Sequence, residues 1–176
     1  MKDLFSSFFE KMTSVTLSLC GMLCGETAVI TPKSVLDRSK KLRNECLNLA
    51  EKQFITPICR EDIAAICLKI HRLNCDIYGI LQNKLYELPN RHCIGERTEL
   101  YKICRHLHGL FENGFPKNHC LILDITYPYE RDITENNRYN YTEIMYNELF
   151  CDKIRTCSSM AVDILEIIAV TVIKNT

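Results

Sequence analysis

The side chains best suited to chemistry are Glu148 and Asp152, two carboxylates four residues apart. Four-residue spacing puts two side chains on one face of an α-helix, and carboxylate oxygens are the ligands that hard cations prefer. We therefore interpret this pair as a candidate metal site for a weakly bound divalent or iron ion. The same spacing is common on solvated helices, so the pair needs further ligands before it defines a site.

Histidine and cysteine do not supply those ligands in any known pattern. Glu-x-x-His pairs aim two ligands into a di-iron bundle, but the residues three positions before the histidines are Leu68, Pro89, Ile103, Arg105 and Pro116. His106 and His108 are two apart and point in different directions on a helix, so we interpret them as structural. Cys20 and Cys24 share a helix face but lack a third and fourth ligand, and we predict that both lie in or near the core.

No catalytic group is predicted. The sequence contains no zincin motif, no glycine-rich phosphate loop and no nucleophile elbow. We therefore expect a protein that is not an enzyme and that has no cofactor-binding residues.

Composition favours a single domain covering 1–176. Apolar residues make up 47% of the chain, and 22 basic residues balance 22 acidic ones. A net charge of zero gives no overall attraction to nucleic acid, so we expect no nucleic-acid partner. The densest basic stretch, 38–43, is interpreted as a solvated helix face.

The eleven cysteines have irregular spacings and an odd count, which does not favour a disulfide framework. Cys67, Cys104 and Cys157 fall at predicted inward positions, where cysteine acts as a small apolar residue. We therefore expect a reducing, cytoplasmic compartment. Charged residues near the start argue against a signal peptide, and the apolar segment 160–173 is too short to cross a bilayer.

Helical periodicity is the strongest pattern in the chain, and it predicts an all-α, up-and-down bundle of six helices. Apolar residues recur at steps of three and four, which lines one face of each helix. The clearest inward stripes are Phe5, Phe8, Met12, Val15, Leu19 and Met22; Ile63, Ile66, Cys67, Ile70, Leu73, Ile77 and Leu81; and Ile154, Cys157, Ala161, Ile164, Ile168 and Val172.

Proline and capping signals separate these helices. Thr31-Pro32 predicts the start of the second helix, and Pro57 ends it. The third begins near Arg60, the fourth lies around 100–111, and Asn113-Gly114-Phe115-Pro116 breaks the chain after it. A fifth helix is predicted over 118–139, with a kink at Pro128, and a sixth over 142–173.

One stretch carries a family resemblance: Phe54-Ile55-Thr56-Pro57-Ile58-Cys59-Arg60-Glu61-Asp62-Ile63. It resembles the "FITPxxRExI" signature between the second and third helices of PhoU-like proteins, in particular the short branch often encoded beside Pit-type inorganic phosphate permeases. The aromatic start, 5–9, and the tail, 148–174, resemble the first and last helices of that family.

The resemblance implies a six-helix bundle of two three-helix repeats that acts in phosphate uptake or its regulation. Many members bind metal clusters through E/D-x-x-x-D motifs, of which Glu148 and Asp152 match one. The second helix instead has Asp37 followed by Lys41, and His71, Arg72 and Cys75 replace most of the acidic cluster of the third. In the fifth, Glu130 and Glu135 have the wrong spacing. Basic residues in place of carboxylates repel a cation, so a complete metal cluster is not expected.

The resulting functional expectation is a non-enzymatic accessory or regulatory protein of phosphate transport. Its expected partner is a phosphate permease or another membrane-associated protein, and it would be cytoplasmic or peripheral on the inner face of the membrane. A homodimer is left open. The alternative is a helical protein–protein interaction module that has lost metal binding and the phosphate role.

Overall fold

The computed structural model describes residues 4–53, 56, 58–82, 93–118, 122 and 141–175. The helices in these ranges are α1 (Leu4–Leu23), α2 (Pro32–Lys52), α3 (Arg60–Gln82), α4 (Ile94–Gly109) and α5 (Tyr141–Lys174). No strand occurs in the described ranges, which confirms an all-helical chain there. The predicted fifth helix lies almost wholly outside them, as does the predicted kink at Pro128.

The ends of α2 follow from local chemistry. The Thr31 side chain accepts a hydrogen bond from the Ser34 backbone N–H (3.3 Å), and Pro32 occupies the first turn. A hydroxyl cap and a first-turn proline both suit a helix start because the first N–H groups lack partners within the helix. Gln53 ends α2 with an extended backbone.

The predicted stripes form the core. Every residue of the α5 stripe is buried, and only Phe8 and Leu81 of the α1 and α3 stripes are partly buried. At one end of this core, the Phe9 and Phe111 rings lie 5.2 Å apart, and Phe115 packs against both. The chain turns after α4 at Gly114, whose φ of 107° is the left-handed conformation that glycine adopts readily.

The contacts between helices define the arrangement. Helices α1, α3, α5 and α4 contact one another in a closed ring, and α2 packs against both α1 and α3. Among the described helices, α5 therefore packs mainly against α3 and α4. This leaves one side of α5 outside the ring.

Helix α5 also bears on membrane association. Its stretch Glu148–Lys174 is long and apolar enough, by length and composition alone, to cross a membrane, and half of its most apolar window is buried inside the bundle. The expectation that this region is too short rested on 160–173 and does not hold for the whole helix. Core helices of soluble proteins pass the same test, so the observation is weak evidence of membrane association.

Candidate functional site at the junction of α4 and α5

Three atoms that can bind a metal meet where α4 begins beside α5. The Sγ atoms of Cys93 and Cys151 and a carboxylate oxygen of Glu96 all lie within 4.8 Å of one another. The two sulfurs are joined as a disulfide whose Cα atoms are 5.7 Å apart, which is a usual distance for such a bridge. This group can thus act as a cross-link or, once reduced, as a set of ligands.

Cys93 occupies an unusual backbone position. It is the N-cap of α4 with φ 62° and ψ 25°, and among the described residues other than glycine it alone has a positive φ. Its carbonyl accepts the hydrogen bond from the Arg97 N–H (3.0 Å), so α4 starts directly from this turn. Left-handed backbone is costly for a residue with a Cβ atom, and it often marks a functional or tightly constrained position.

An arginine follows each cysteine by one helical turn. Arg155 Nη2 donates to Glu96 Oε1 (2.9 Å), and its Nη1 donates to Asp152 Oδ1 (2.7 Å). Arg97 is 7% exposed, and its guanidinium lies 5.1 Å from the centre of the Phe150 ring. Two cations thus accompany the acidic and sulfur groups of the junction, and Arg155 joins α4 to α5.

The acidic groups of α4 also influence one another. Burial, followed by the nearby Glu96 carboxylate, raises the pKa of Glu99, whereas Arg155 opposes that increase. Acidic groups are therefore close enough here for their charges to interact, and Arg155 reduces the repulsion.

The sequence-predicted metal ligands lie beside this group. Glu148 and Asp152 are both exposed on α5, and Asp152 immediately follows Cys151. Since Asp152 is hydrogen-bonded to Arg155, one of its oxygens already has a cationic partner. The role of this pair in metal binding stays a prediction.

A second polar cluster joins α2 and α3. Ser39 Oγ lies 2.9 Å from His71 Nδ1 and accepts a hydrogen bond from Asn74 Nδ2 at 3.0 Å, and Cys75 Sγ lies 3.6 Å from His71 Nε2. Burial lowers the pKa of His71, and the cationic Arg43 and Lys40 lower it further.

These groups replace the carboxylates that the family resemblance implies for the third helix. The cluster is unfavourable for a hard cation because it offers a hydroxyl, an imidazole and a thiol in place of carboxylates, and because Arg43 and Lys40 are close enough to His71 to repel a cation. Its hydrogen bonds cross from one helix to the other, so it serves to hold α2 against α3.

The remaining cysteines largely follow their predicted positions. Cys67, Cys104 and Cys157 are buried as expected, and burial raises the pKa of Cys157 to about 12. Cys20 is buried, but Cys24 is exposed, so the prediction that both lie in or near the core is wrong for Cys24. The reason is that α1 ends at Leu23, and helical spacing no longer applies beyond it.

The described histidines of α4 make structural contacts. His106 Nε2 lies 3.1 Å from the Ile122 carbonyl, and His108 Nδ1 lies 3.0 Å from Thr13 Oγ1. The two rings thus have separate partners, in agreement with the prediction that they are poor joint ligands.

Comparison with known proteins adds no relative. Searches of protein-family models, curated proteins and solved structures find no match to this chain. The resemblance described from the sequence therefore remains an expectation.

The α4–α5 group was not predicted from the sequence. Cys93 and Glu96 have the three-residue spacing of a helix face, but Cys151 is 58 residues from Cys93. No local pattern links residues so far apart, and the odd cysteine count argued against a bridge. The one available signal was that both cysteines are followed four residues later by arginine.

Proposed function

We propose that this chain is a non-enzymatic accessory or regulatory protein of inorganic phosphate transport that docks on the cytosolic side of a membrane protein. The observation that carries the proposal is the stretch 54–63. Helix α2 ends at Lys52 and α3 begins at Arg60, so residues 54–59 of the FITPxxRExI-like stretch fall between the second and third helices, and 60–63 form the first turn of α3. Phe54, Ile55 and Pro57 of this stretch lie outside the described residues.

The contacts between the helices support the same proposal. Helices α1, α2 and α3 all touch one another, as the first repeat of a two-repeat bundle would. Exchanging α1 with α4 and α3 with α5 maps the contact α1–α3 onto α4–α5, and it leaves the contacts α1–α4 and α3–α5 in place. An internal twofold repeat would give these contacts, as would any closed ring of four helices.

The outward face of α5 offers a surface for the partner. We define it by the eleven described, exposed residues of α5 that fall within a sector of about 120° on an ideal helix. They are Met145, Glu148, Leu149, Asp152, Thr156, Ser159, Asp163, Glu166, Val170, Ile173 and Lys174. The one cation among them, Lys174, is paired with Asp62. The four apolar members are each 49–57% exposed, so the face combines apolar area with carboxylates.

This chemistry favours a protein partner over a bare lipid surface. The cytoplasmic loops of membrane proteins are rich in Lys and Arg, which complement the carboxylates. An anionic leaflet would repel them. Asp152 and Asp163 are already paired with Arg155 and Lys69, so Glu148 and Glu166 are the acidic groups best placed to meet a basic loop.

The test is a chromosomal deletion in the native host, followed by the initial rate of labelled phosphate uptake and recovery of the membrane partner by affinity purification. We expect altered uptake and co-purification of a phosphate permease. Replacing Glu148 and Glu166 together by Lys should abolish co-purification and alter uptake as the deletion does. Replacing the exposed Glu51 of α2 by Lys should do neither. Unchanged uptake in the deletion strain would refute the proposal.

The outward face of α5 also fits a second candidate, an interaction module without a phosphate role. Apolar side chains such as Leu149 and Val170, about half exposed on one helix face, are typical of a helix that docks in a groove. Recovery of a partner unrelated to phosphate transport, lost in the same double variant, would favour this candidate.

A further inference from the structure

The junction of α4 and α5 brings together two sulfurs and a carboxylate that the proposed function does not use. We propose that Cys93, Cys151 and Glu96 form a redox-controlled binding site for a thiophilic divalent cation, with Zn²⁺ as the probe. The disulfide is the closed state and the dithiol is the binding state. This inference is independent of any role in phosphate transport.

The spacing of the three ligands suits a small tetrahedral ion. Two sulfurs bound to one Zn²⁺ at about 2.3 Å lie about 3.8 Å apart in a tetrahedral site. The three ligand atoms here fall within 4.8 Å of one another. After reduction, rotation of the two cysteine side chains can separate the sulfurs while their Cα atoms stay 5.7 Å apart.

The ligand types select the metal. Two thiolates favour Zn²⁺ and similar soft or borderline ions over Mg²⁺ and Ca²⁺, which prefer sets of oxygen ligands. Three protein ligands leave a fourth position for water or an anion, as in open zinc sites. The group therefore differs in kind from the all-carboxylate pair Glu148 and Asp152.

Charge balance supports the bound state. Two thiolates and one carboxylate carry −3, and Zn²⁺ brings the total to −1. Arg155, hydrogen-bonded to Glu96 at 2.9 Å, holds the carboxylate in place. Together with Arg97 it supplies positive charge at the junction, although Arg155 is shared with Asp152. Such a partner keeps a metal-binding carboxylate oriented. Charge compensation matters here because Cys93 is only 9% exposed.

The other cysteines favour a chain that works in the presence of reductants. Eight described cysteines are free thiols, and two of these, Cys24 and Cys59, are exposed. Exposed thiols would be oxidised or cross-linked in an oxidising compartment. A pair that can be reduced and then bind metal is consistent with this composition.

The switching step is a two-electron exchange. A cellular dithiol attacks the Cys93–Cys151 bond through its thiolate, passes through a mixed disulfide and leaves as its own disulfide. Its two electrons and two protons then reside on the Cys93 and Cys151 thiols. Binding of Zn²⁺ displaces those two protons to solvent, so metal binding is pH-dependent and releases two protons.

The test compares oxidised and phosphine-reduced forms of the full chain in equilibrium dialysis against Zn²⁺, with Co²⁺ absorption as a second readout. We expect about one metal ion bound to the reduced chain, with a thiolate-to-cobalt charge-transfer band, and none at this site in the oxidised chain. This comparison needs no substitution, so a variant that fails to fold cannot obscure it. Equal binding by both forms, or no binding by the reduced form, overturns the proposal.

Two carboxylate variants then locate the site. Glu96→Gln should weaken binding by the reduced chain at least tenfold, since loss of even a supporting group commonly costs 10–100-fold. Glu51→Gln, which alters an exposed carboxylate on α2 outside the junction, should leave the affinity unchanged. Retention of the metal in Glu96→Gln, together with its loss in Asp152→Asn, would assign binding to the Glu148 and Asp152 pair and refute the proposal.

Two cysteine variants complete the design. Cys151→Ser should remove the cobalt charge-transfer band, and Cys59→Ser, which alters an exposed thiol outside the junction, should retain it. Circular dichroism of each variant checks that the helices are intact. A band that survives in Cys151→Ser would place the metal on other thiols and overturn the assignment.

Discussion

Breaking the bridge between Cys93 and Cys151 should destabilise the fold by an amount that the chain length between them sets. The bridge closes a loop with a sequence separation of 58 residues. The chain-entropy relation gives about 4 kcal/mol at 25 °C for a loop of that size, because the closed loop restricts the unfolded chain. For a chain of this length, each kcal/mol shifts the unfolding midpoint by roughly 2–4 °C, so we expect a decrease of about 8–16 °C.

The assay is thermal unfolding followed by circular dichroism, with a metal chelator present throughout so that no ion replaces the bridge. The oxidised chain is compared with the reduced chain and with a double variant, Cys93→Ala and Cys151→Ala. The double variant should match the reduced chain and should not respond to reductant. If it instead unfolds at the midpoint of the oxidised chain, the bridge does not constrain the unfolded state and the reasoning is wrong.

Three further perturbations address the core and the α2–α3 cluster. Ser39→Ala should lower the free energy of unfolding by about 1–3 kcal/mol in urea denaturation, since it removes the closer of the two acceptors of the buried Asn74 amide and leaves only the Met12 carbonyl at 3.4 Å. No loss would show that the bond is dispensable. NMR titration should give His71 a pKa below 6.5, and Arg43→Gln should raise that pKa by removing a neighbouring cation. Because the pKa of His71 is lower in the folded chain than in the unfolded chain, the contribution of His71 to stability is present above pH 6.5. That contribution decreases as the pH falls toward the folded pKa. Phe111→Ala should cost about 3–5 kcal/mol, because this ring is fully buried, and a cost below about 1 kcal/mol in the same urea assay would contradict its place in the core.

The helices could be predicted from the sequence because their signals are local. A stripe such as the one through Ile154 and Ile168 repeats along one helix, and each residue of it is buried. The start of α2 was equally local, because Thr31 caps it and Pro32 occupies its first turn. Such features depend on neighbours within a few residues.

The α4–α5 site could not be predicted because its contacts are tertiary. Arg155 and Glu96 are 59 residues apart in sequence, and nothing near either residue indicates the other. The left-handed backbone at Cys93 is equally hidden, since asparagine or glycine would be the usual signal for that conformation. The predicted carboxylates Glu148 and Asp152 were found by spacing, whereas the neighbouring sulfur ligand was not.

The length of α5 gives the molecule a mechanical property. With 34 residues and a rise of about 1.5 Å per residue, it runs for about 51 Å. Near its middle Arg155 is tied to the first turn of α4, and at its end Lys174 is tied to Asp62 in the first turn of α3 (3.3 Å). One continuous helix thus anchors the starts of two other helices, so a twist imposed at Arg155 is transmitted over about 28 Å to the first turn of α3.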